Sequence, residues 1–581
     1  MSRAAVSLFS LTSLTLIAAL TPVSQAVAQS AAAAVAAAQT TPGAGELLRD
    51  LPTTEPKMPA LSEPAPLADT VATDKAPAVS FVLKEFKVSG ATVLSPQQIA
   101  ALAEPYAGKP VNEQQVAALV AALRKRYEDK GYTLVSIGFP SQDNGVLSVN
   151  VIEPRLGRVQ IPLGADAPVS EARIKGLMAF FSVKTSGLLN TLSLERVMFA
   201  LNDTPGVAAK ASLSPSGEEG VYNLGIQVQP RRSWDASVQL DNQGMDDAGR
   251  WRTTGLTRWN NPLGIGDNLD FQGLLSDSGG VKVGRLAYEL PVLYTPARLS
   301  VAYAKLGYGL GGDLSSYGAH GTARVFETNL TYPLLRSRSR TLMARLGAES
   351  KNLTDKVDAF EGVDGFASRG DKRILAILGG LTYESRDTWA GGGFNSASAQ
   401  LHWGHLRFKD AEGQAWDANL GSASTAGRFA KAELQYSRLQ SISRTVSLYV
   451  NFSQQLASSN LDPAEKMTLG GPKGVRAYSP TEGASDEASL VTSELRYWID
   501  SNWTVFALYD WGKGRRIRDI DAMQSAGNND IQLHGAGLGV AATYPDWATI
   551  KATVAWRGPR RGETDTSNDK PRLYVQAQHS F

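Results

Sequence analysis

The sequence predicts a membrane-spanning antiparallel β-barrel of about 16 strands, preceded by two small domains of β-α-α-β-β order. Three observations lead to this fold. Residues 80–230 alternate strand-like and helix-like patterns in two successive units. From residue 231 onward the helical periodicity is lost, and apolar and polar residues alternate in short segments separated by Gly, Asp and Asn. No apolar run of about 18 residues suggests a membrane-spanning helix.

The composition narrows the function classes before any motif is considered. Lys and Arg total 58 against 56 for Asp and Glu, so a net charge of +2 gives no basic field for nucleic acid. Cysteine is absent from the 581 residues. Structural disulfides, thiolate zinc sites and cysteine nucleophiles are therefore excluded, and a thiol-free chain suits passage through an oxidising compartment.

Residues 1–28 have the pattern of a secretory signal peptide. Arg3 precedes an apolar run, and Ala26 and Ala28 form a small-residue cleavage site. A membrane anchor is the alternative, but the apolar run is short for a span. Residues 29–79 are a Pro- and Ala-rich linker in which SAAAAVAAAQ and GELLRDL are each candidates for a short helix that docks elsewhere. A wholly disordered segment is the other interpretation.

The two small domains are predicted at residues 80–154 and 155–230. In the first domain, Ser95 is the expected N-cap of the first helix. Two strands follow the second helix, at 132–140 and 146–154, and the sequence SQDNG between them is a hairpin signal. The second domain repeats this order, which indicates two tandem modules of the same kind.

Residues 231–581 are predicted to form the barrel. Apolar and polar side chains alternate in residues 446–453 and again in 550–556. A soluble β-sandwich alternates similarly, but one sandwich rarely needs so many residues, whereas a barrel of about 16 strands uses about 22 per strand and connection. The last strand ends on Phe581, an aromatic residue that resembles the assembly signal of bacterial outer-membrane barrels.

Enzymatic functions find little support in the sequence. His402 and His405 form an H-x-x-H pattern, but residues three apart on a strand point to opposite faces and cannot share a metal. The glycine-rich stretch at 307–312 lacks the strand-turn-helix context of a phosphate loop. We therefore expect no enzymatic activity, no metal site and no cofactor.

Three separate stretches resemble one protein family. Residues 201–228 are similar to the second POTRA domain, a periplasmic docking module, of two-partner secretion transporters. Residues 260–269, NNPLGIGDNL, resemble a periplasmic turn at the start of the same barrels. Residues 469–478, LGGPKGVRAY, resemble the sixth-loop motif of the BamA-like superfamily. The chain is thus similar to the ShlB/FhaC/HecB haemolysin secretion/activation transporters from about residue 81 to 581.

The resemblance implies a loop around 469–480 that folds into the barrel lumen. Its tip motif is Val475, Arg476, Ala477 and Tyr478, and the family's arginine pairs with an aspartate that corresponds here to Asp510. An arginine-carboxylate contact of this kind can hold a loop whose ordering is entropically costly. Ala477 stands where the family has glycine, so either the tip adopts another conformation or the position tolerates alanine.

The family further implies an outer-membrane location in a Gram-negative bacterium, with the POTRA domains in the periplasm. The expected function is transport of an unfolded exoprotein, recognised by the POTRA domains, through the barrel to the cell surface. The expected partners are an exoprotein with an N-terminal two-partner secretion domain, outer-membrane lipid and the barrel assembly machinery. An outer-membrane assembly factor of the BamA or TamA kind, or a passive porin, remains the alternative.

Overall fold

The computed structural model describes Ala44, Leu47 and residues 80–164, 166–362, 367–419, 424–520, 529–545, 547–562 and 571–581. The expected signal peptide and most of the expected linker lie outside these ranges. Within them, we find no helix with the length and apolar character needed to cross a membrane.

The first small domain packs two helices against short strands. Ser95 and Asn112 each cap a helix by accepting a hydrogen bond from the backbone of a glutamine three residues later, whose side chain bonds back to the cap. The elements are β1 Phe81–Val82, β2 Glu85–Ser89, α1 Pro96–Ala103, β3 Pro110–Val111, α2 Glu113–Asp129, β4 Ser136–Ile137, β5 Ser141–Asp143 and β6 Val146–Ile152.

The predicted strand at 132–140 is largely wrong, since only Ser136–Ile137 is strand. The N–H of Tyr132 donates to Tyr127 O and the N–H of Val135 donates to Tyr132 O, so these residues form a turn that closes α2. The hairpin signal is real but belongs to β5 and β6. Its turn residues Asn144 and Gly145 have φ values of 51° and 90°.

The second small domain repeats the order with longer strands. Its strands form a three-stranded sheet in the order β7-β9-β8, and helices α3 and α4 cover one face over an apolar core that includes Ile174, Leu177, Val197 and Leu201. The elements are β7 Arg155–Gln160, α3 Glu171–Phe180, α4 Thr191–Asn202, β8 Val207–Pro215 and β9 Val221–Pro230.

The remaining strands form a closed antiparallel barrel of 16 strands, which confirms the predicted fold class. Each strand pairs with the next, and β10 closes the barrel against β25. The strands are β10 Trp234–Asp241, β11 Arg252–Asn260, β12 Asn268–Ser276, β13 Val281–Pro291, β14 Arg298–Gly309, β15 Ala319–Arg336, β16 Arg340–Val357, β17 Arg369–Asp387, β18 Gly393–Phe408, β19 Gly427–Ser441, β20 Val446–Ala457, β21 Glu487–Trp498, β22 Trp503–Arg515, β23 Asp530–Tyr544, β24 Ala548–Arg557 and β25 Arg572–Ser580.

The alternation in the barrel strands separates an apolar outer face from a lumen face that is polar in part and apolar where the loop and the segment with Ala44 and Leu47 pack against it. On β20, Ser447 and Asn451 are buried on the lumen side. On β24, Ile550 and Trp556 are about half exposed on the outer face, where a membrane would cover them. The same face difference separates His402, which lies beside Glu433 in the lumen, from His405, which is exposed.

The second small domain is fixed to the mouth of the barrel by polar contacts. Arg336, at the end of β15, makes a two-point ion pair with Asp203 at 3.0 and 3.1 Å, and its guanidinium lies 4.5 Å from the ring centroid of Phe199. The side-chain amide of Asn261, in the turn after β11, donates to Pro168 O at 2.6 Å. These contacts place α4 beside the opening of the barrel.

A buried carboxylate connects the elements of the first small domain. Glu153 accepts hydrogen bonds from the N–H groups of Thr92 and Val93 at 2.7 and 2.8 Å and from the hydroxyls of Thr92 and Tyr127. Burial alone would raise the pKa of Glu153, but these hydrogen bonds outweigh it and hold the pKa below its usual value.

We predict that Glu153→Gln destabilises the first domain at neutral pH by about 1.5–3 kcal/mol, because an amide replaces an ionised acceptor. A lowered folded-state pKa gives stability that is present above the usual carboxyl range and lost as pH falls through the folded pKa. The difference between variant and wild type should therefore shrink in acid. Hydrogen exchange of the peptide that contains Thr92 and Val93, in the full chain, measures this, with exposed Glu85→Gln as control. A difference independent of pH would contradict the role of the charge.

Candidate functional site

The loop between β20 and β21, residues 458–486, folds into the barrel lumen. Its tip, residues 469–480, packs against the inner wall. Leu469, Val475, Ala477 and Tyr478 are all fully buried there. A connection of this length is thus a packed element of the interior, which the family resemblance led us to expect.

Glycine is needed in the tip because the backbone turns back on itself. Gly471 has a φ of +94°, which glycine adopts without the strain that a side chain would introduce. A methyl group on Gly474 would lie 2.2 Å from Leu469 O. This close approach lets the N–H of Val475 donate to Leu469 O at 2.7 Å. The tight turn presents the next residue, Arg476, to the wall.

The structure brings Arg476 and Asp510 together, as the resemblance implied. Nε and Nη2 of Arg476 donate to the two carboxylate oxygens of Asp510 at 2.8 and 2.7 Å, and the backbone N–H of Arg476 donates to the same group at 3.1 Å. Arg476 is 6% exposed and Asp510 is fully buried. A planar guanidinium suits this forked contact, and lysine has no equivalent geometry.

Sequence reasoning missed the second carboxylate of this site. Glu494 on β21 accepts a hydrogen bond from Nη1 of Arg476 and is also paired with Arg496, at 2.7 Å, and Lys551, at 3.3 Å. Glu494 lies on the same lumen face as Thr492, the residue directly opposite Asp510. Residues two apart on a strand share a face, so a glutamate two residues after Thr492, on the strand before Asp510, is expected to face the lumen. That spacing is the sequence signal that could have found Glu494.

An apolar surface surrounds the ion cluster. Phe506 and Leu508 lie on the same face of β22 as Asp510 and contradict a purely polar lumen pattern. The structure explains them, because both are buried in one cluster with Val475 and Tyr478 of the loop tip. These wall positions are apolar because the loop, and not water, covers them.

The structure explains why alanine fits at position 477, where the family has glycine. Ala477 does not have a positive φ, so alanine introduces no backbone strain there. Its methyl group faces Gly535 on β23, where an added Cβ would lie only 2.7 Å from the Cβ of Ala477. The position tolerates alanine because the wall opposite has no side chain.

Tyr478 fixes the other side of the tip. Its hydroxyl donates to Arg560 O at 2.9 Å, and its own carbonyl accepts from the hydroxyl of Tyr574 at 3.2 Å. Nε of Arg557 donates to Ala477 O at 2.8 Å, and its guanidinium lies 5.3 Å from the Tyr478 ring centroid. The tip therefore touches β21 to β25, on one side of the barrel.

A second ion cluster, also unforeseen, holds the start of the loop against β16 to β19. Glu465 is 1% exposed and lies between the ammonium groups of Lys351, at 2.6 Å, and Lys431, at 2.9 Å. Asp462 pairs with Lys372 at 2.8 Å. Because these partners come from strands distant in sequence, no local pattern could announce them. The loop is anchored on two sides of the barrel.

Ala44 and Leu47, the two described residues before the first domain, lie in the lumen near this second cluster. Ala44 and Leu47 have helical backbone and are buried among the apolar residues of the lumen. The backbone N–H of Ala44 donates to the carboxylate of Asp355 at 2.7 Å, and Asp355 lies 3.7 Å from Lys372. Leu47 belongs to the candidate GELLRDL, and Ala44 lies just before it. The candidate SAAAAVAAAQ lies outside the described residues.

Phe581 lies apart from the lumen site. It is 61% exposed, and its ring makes an edge contact with His579 at 4.5 Å between centroids. Its backbone N–H donates to Ala236 O on the neighbouring strand β10 at 2.9 Å. The aromatic side chain is therefore presented on the outside of the barrel, next to the closing strand pair.

Comparison with known proteins identifies the family. The family "POTRA domain, ShlB-type" matches residues 81–154, and "Haemolysin secretion/activation protein ShlB/FhaC/HecB" matches residues 220–542. The heme/hemopexin transporter protein HuxB of Haemophilus influenzae is 23% identical over 469 residues, covering 79% of this chain and 80% of HuxB. The outer membrane transporter CdiB of Escherichia coli is 22% identical over 536 residues, covering 86% of each chain.

A solved structure supports the fold. CdiB from Escherichia coli aligns with a TM-score of 0.68 at 19% identity, covering 97% of this chain and all of that one. The family match spans more than half of the sequence and includes the loop, its tip and the wall residues Glu494 and Asp510. The chain therefore belongs to the ShlB/FhaC/HecB haemolysin secretion/activation family, the outer-membrane transporters of two-partner secretion.

Proposed function

We propose that this transporter recognises its unfolded exoprotein through the POTRA domains and passes it through a barrel whose bore is shaped by the anchored loop. The observation that carries the proposal is the buried cluster of Arg476, Asp510 and Glu494. A loop that is fixed inside the lumen on two sides decides which part of the bore a passing chain can use.

The POTRA domains offer sheet edges for an extended segment. Strand β8 lies at the edge of its three-stranded sheet, and most of its residues from 210 to 215 are exposed. An unfolded chain can add to such an edge through backbone hydrogen bonds, which depend little on side-chain sequence. The fixed contact between α4 and the barrel mouth would then keep a bound segment close to the opening.

Two further partners belong to the proposal. The apolar outer face, with aromatic residues such as Trp503, Tyr509 and Trp556 exposed on it, suits contact with outer-membrane lipid. The exposed ring of Phe581, beside the strand pair that closes the barrel, suits recognition by the barrel assembly machinery during insertion.

The proposal is tested by comparing the culture medium, cell surface and outer membrane with and without the gene. We expect loss of one large exoprotein from the surface and medium while other outer-membrane barrels stay unchanged. A general fall in outer-membrane barrels would instead identify an assembly factor. Retention of every surface protein would contradict transport altogether.

We predict that Arg476→Ala reduces secretion strongly while the barrel still assembles. Removing one partner of a buried ion cluster costs about 3–5 kcal/mol, because the remaining carboxylates stay buried without it. Arg476→Lys should give an intermediate defect, since an ammonium has no fork for Asp510. Secretion and the electrophoretic mobility of the folded barrel are measured together. Arg515→Ala, on the same wall but half exposed, is the control. Normal secretion by Arg476→Ala would disprove the role of the loop.

We also predict that Gly535→Ala impairs secretion through overpacking against the loop tip. The new methyl group would lie 2.7 Å from Ala477 Cβ and 3.0 Å from Trp556 O, and such overpacking costs about 1–3 kcal/mol. Adding Ala477→Gly should restore part of the activity, because it removes the closer of these contacts. Gly284→Ala, where the added Cβ meets nothing within 4 Å, is the control. A double variant no better than Gly535→Ala would argue against the packing explanation.

A further inference from the structure

Two periplasmic turns at the mouth of the barrel are short. The turn 261–267 joins β11 to β12, and the turn 292–297 joins β13 to β14. Each turn is closed by a backbone hydrogen bond between its first and last residues, at 2.7 and 2.9 Å. Because each closure leaves few residues beyond it, both tips stay close to the ends of the barrel strands.

Four large apolar side chains of these turns are exposed. Leu263 and Leu293 are 68% and 79% exposed, and Ile265 and Tyr294 are about half exposed. The two turns are neighbours, since β12 pairs with β13. An apolar area thus lies at one edge of the barrel, where exposed apolar patches mark contact with another apolar surface.

The polar and backbone atoms of the first turn hold the second POTRA domain. The side-chain amide of Asn261 donates to Pro168 O at 2.6 Å. Gly266 approaches the same domain so closely that an added Cβ would lie 2.5 Å from Cγ2 of Thr204. The apolar side chains of the turn take no part in these contacts and remain exposed beside the domain.

Helix α3 of the second POTRA domain lies along the second turn. Arg173 donates to Leu293 O and, at 2.9 Å, to Thr295 O. A Cβ on Gly176 would lie 2.5 Å from Cβ of Tyr294, so the helix approaches the turn more closely than a side chain at position 176 would allow. The face of α3 that carries Arg173 and Gly176 is therefore held against the turn.

Phe180 extends the apolar area from the barrel onto the domain. Residues three or four apart share a helix face, so Phe180 lies on the same face of α3 as Gly176, one helical turn further along. Its ring is about half exposed. We call the whole apolar area the seating surface, and it consists of Leu263, Ile265, Leu293, Tyr294 and Phe180.

The position of the seating surface corresponds to a lipid interface. Trp234 and Trp259 stack on the outer face of the barrel just before the turn 261–267, with 4.9 Å between their ring centroids, and both rings are partly exposed. Aromatic residues at the end of a barrel's apolar band mark the boundary between acyl chains and headgroups. Since the short turns follow directly, their apolar tips lie at the level where side chains bury in the adjacent leaflet.

We propose that the seating surface inserts into the periplasmic leaflet of the outer membrane and so seats the second POTRA domain on lipid as well as on the barrel. The inference rests on the proposed contact of the barrel's outer face with lipid, and it extends that contact to a domain outside the barrel. Burial of these side chains in lipid restricts rotation of the domain about the two turns, so α4 stays beside the opening.

Seating on lipid is tested by fluorescence quenching of the purified full chain in lipid nanodiscs. Because the chain has no cysteine, a single introduced cysteine carries the fluorophore in each variant. The test variants are Phe180→Cys, Leu263→Cys and Leu293→Cys. Leu330→Cys, on the outer face of the barrel, is the positive control. The quencher is phosphatidylcholine brominated near the headgroup end of its acyl chains, and electrophoretic mobility shows that each labelled barrel is folded.

The negative controls are Phe139→Cys in the first domain and Ser216→Cys in the second. Phe139 is fully exposed, and Ser216 is exposed just after β8. Strand β8 starts next to the barrel, since a Cβ on Gly206 would lie 3.1 Å from Cβ of Asn261. Its length takes Ser216 about 30 Å from that contact.

We expect quenching at residues 180, 263 and 293 to be severalfold stronger than at 139 and 216 and similar to that at 330. Quenching at 180 no greater than at 216, with strong quenching at 330, would overturn the seating and leave the surface to a protein partner. Weak quenching at 330 as well would mean that the proposed lipid contact of the barrel itself fails. Neither result depends on secretion, which deletion of the gene tests separately.

Discussion

The interior of this barrel depends on one buried arginine. Arg476 lies between two carboxylates, Asp510 and Glu494, and withdrawing those charges from water would be strongly unfavourable without their partners. The cluster extends to Arg496 and Lys551, so cations outnumber carboxylates among the five named groups. Glu494 keeps the wall cations Arg496 and Lys551 when the tip leaves, but the buried Asp510 loses the three hydrogen bonds it accepts from Arg476, so seating the tip stabilises the loop and its wall together.

The steric fit between the loop tip and the barrel wall also holds the loop in place. The wall beneath the tip has glycines where the loop approaches most closely: a Cβ on Gly512 would lie 3.1 Å from Leu469, and one on Gly514 would lie 2.3 Å from Ser485. The wall residues Phe506 and Leu508 fill the space beside them. A tight apolar fit around a desolvated ion cluster excludes water and strengthens each electrostatic contact. The loop is therefore positioned by sterics as well as by its ion pairs.

The sequence predicts the parts of this structure that repeat or that form a motif. Barrel strands alternate with period two, Ser95 marks the start of the first helix, and the resemblance of the tip motif predicts that Arg476 pairs with Asp510. Contacts between distant segments have no such periodicity. The sequence does not distinguish three lumen lysines, Lys351, Lys372 and Lys431, from other residues on that face. They gain their carboxylate partners, Asp462 and Glu465, only because the loop folds back into the lumen. Likewise, the residue pattern of 132–140 favours a strand. The backbone hydrogen bonds of Tyr132 and Val135 show instead that this segment begins as a turn after α2.

Transport through such a barrel makes two opposite demands on the same lumen. The loop occupies part of the bore, and its buried ion pairs hold it against the wall. A passing chain nevertheless needs contacts that release it, and strong pairing along its path would bind the chain and stop it. The ion pairs of the loop tip are buried, whereas Arg285 on β13 and Glu327 on β15 retain 16% and 28% exposure, and burial strengthens an ion pair whose partners stay together. Differences in burial along the lumen therefore separate strongly held contacts from weaker ones.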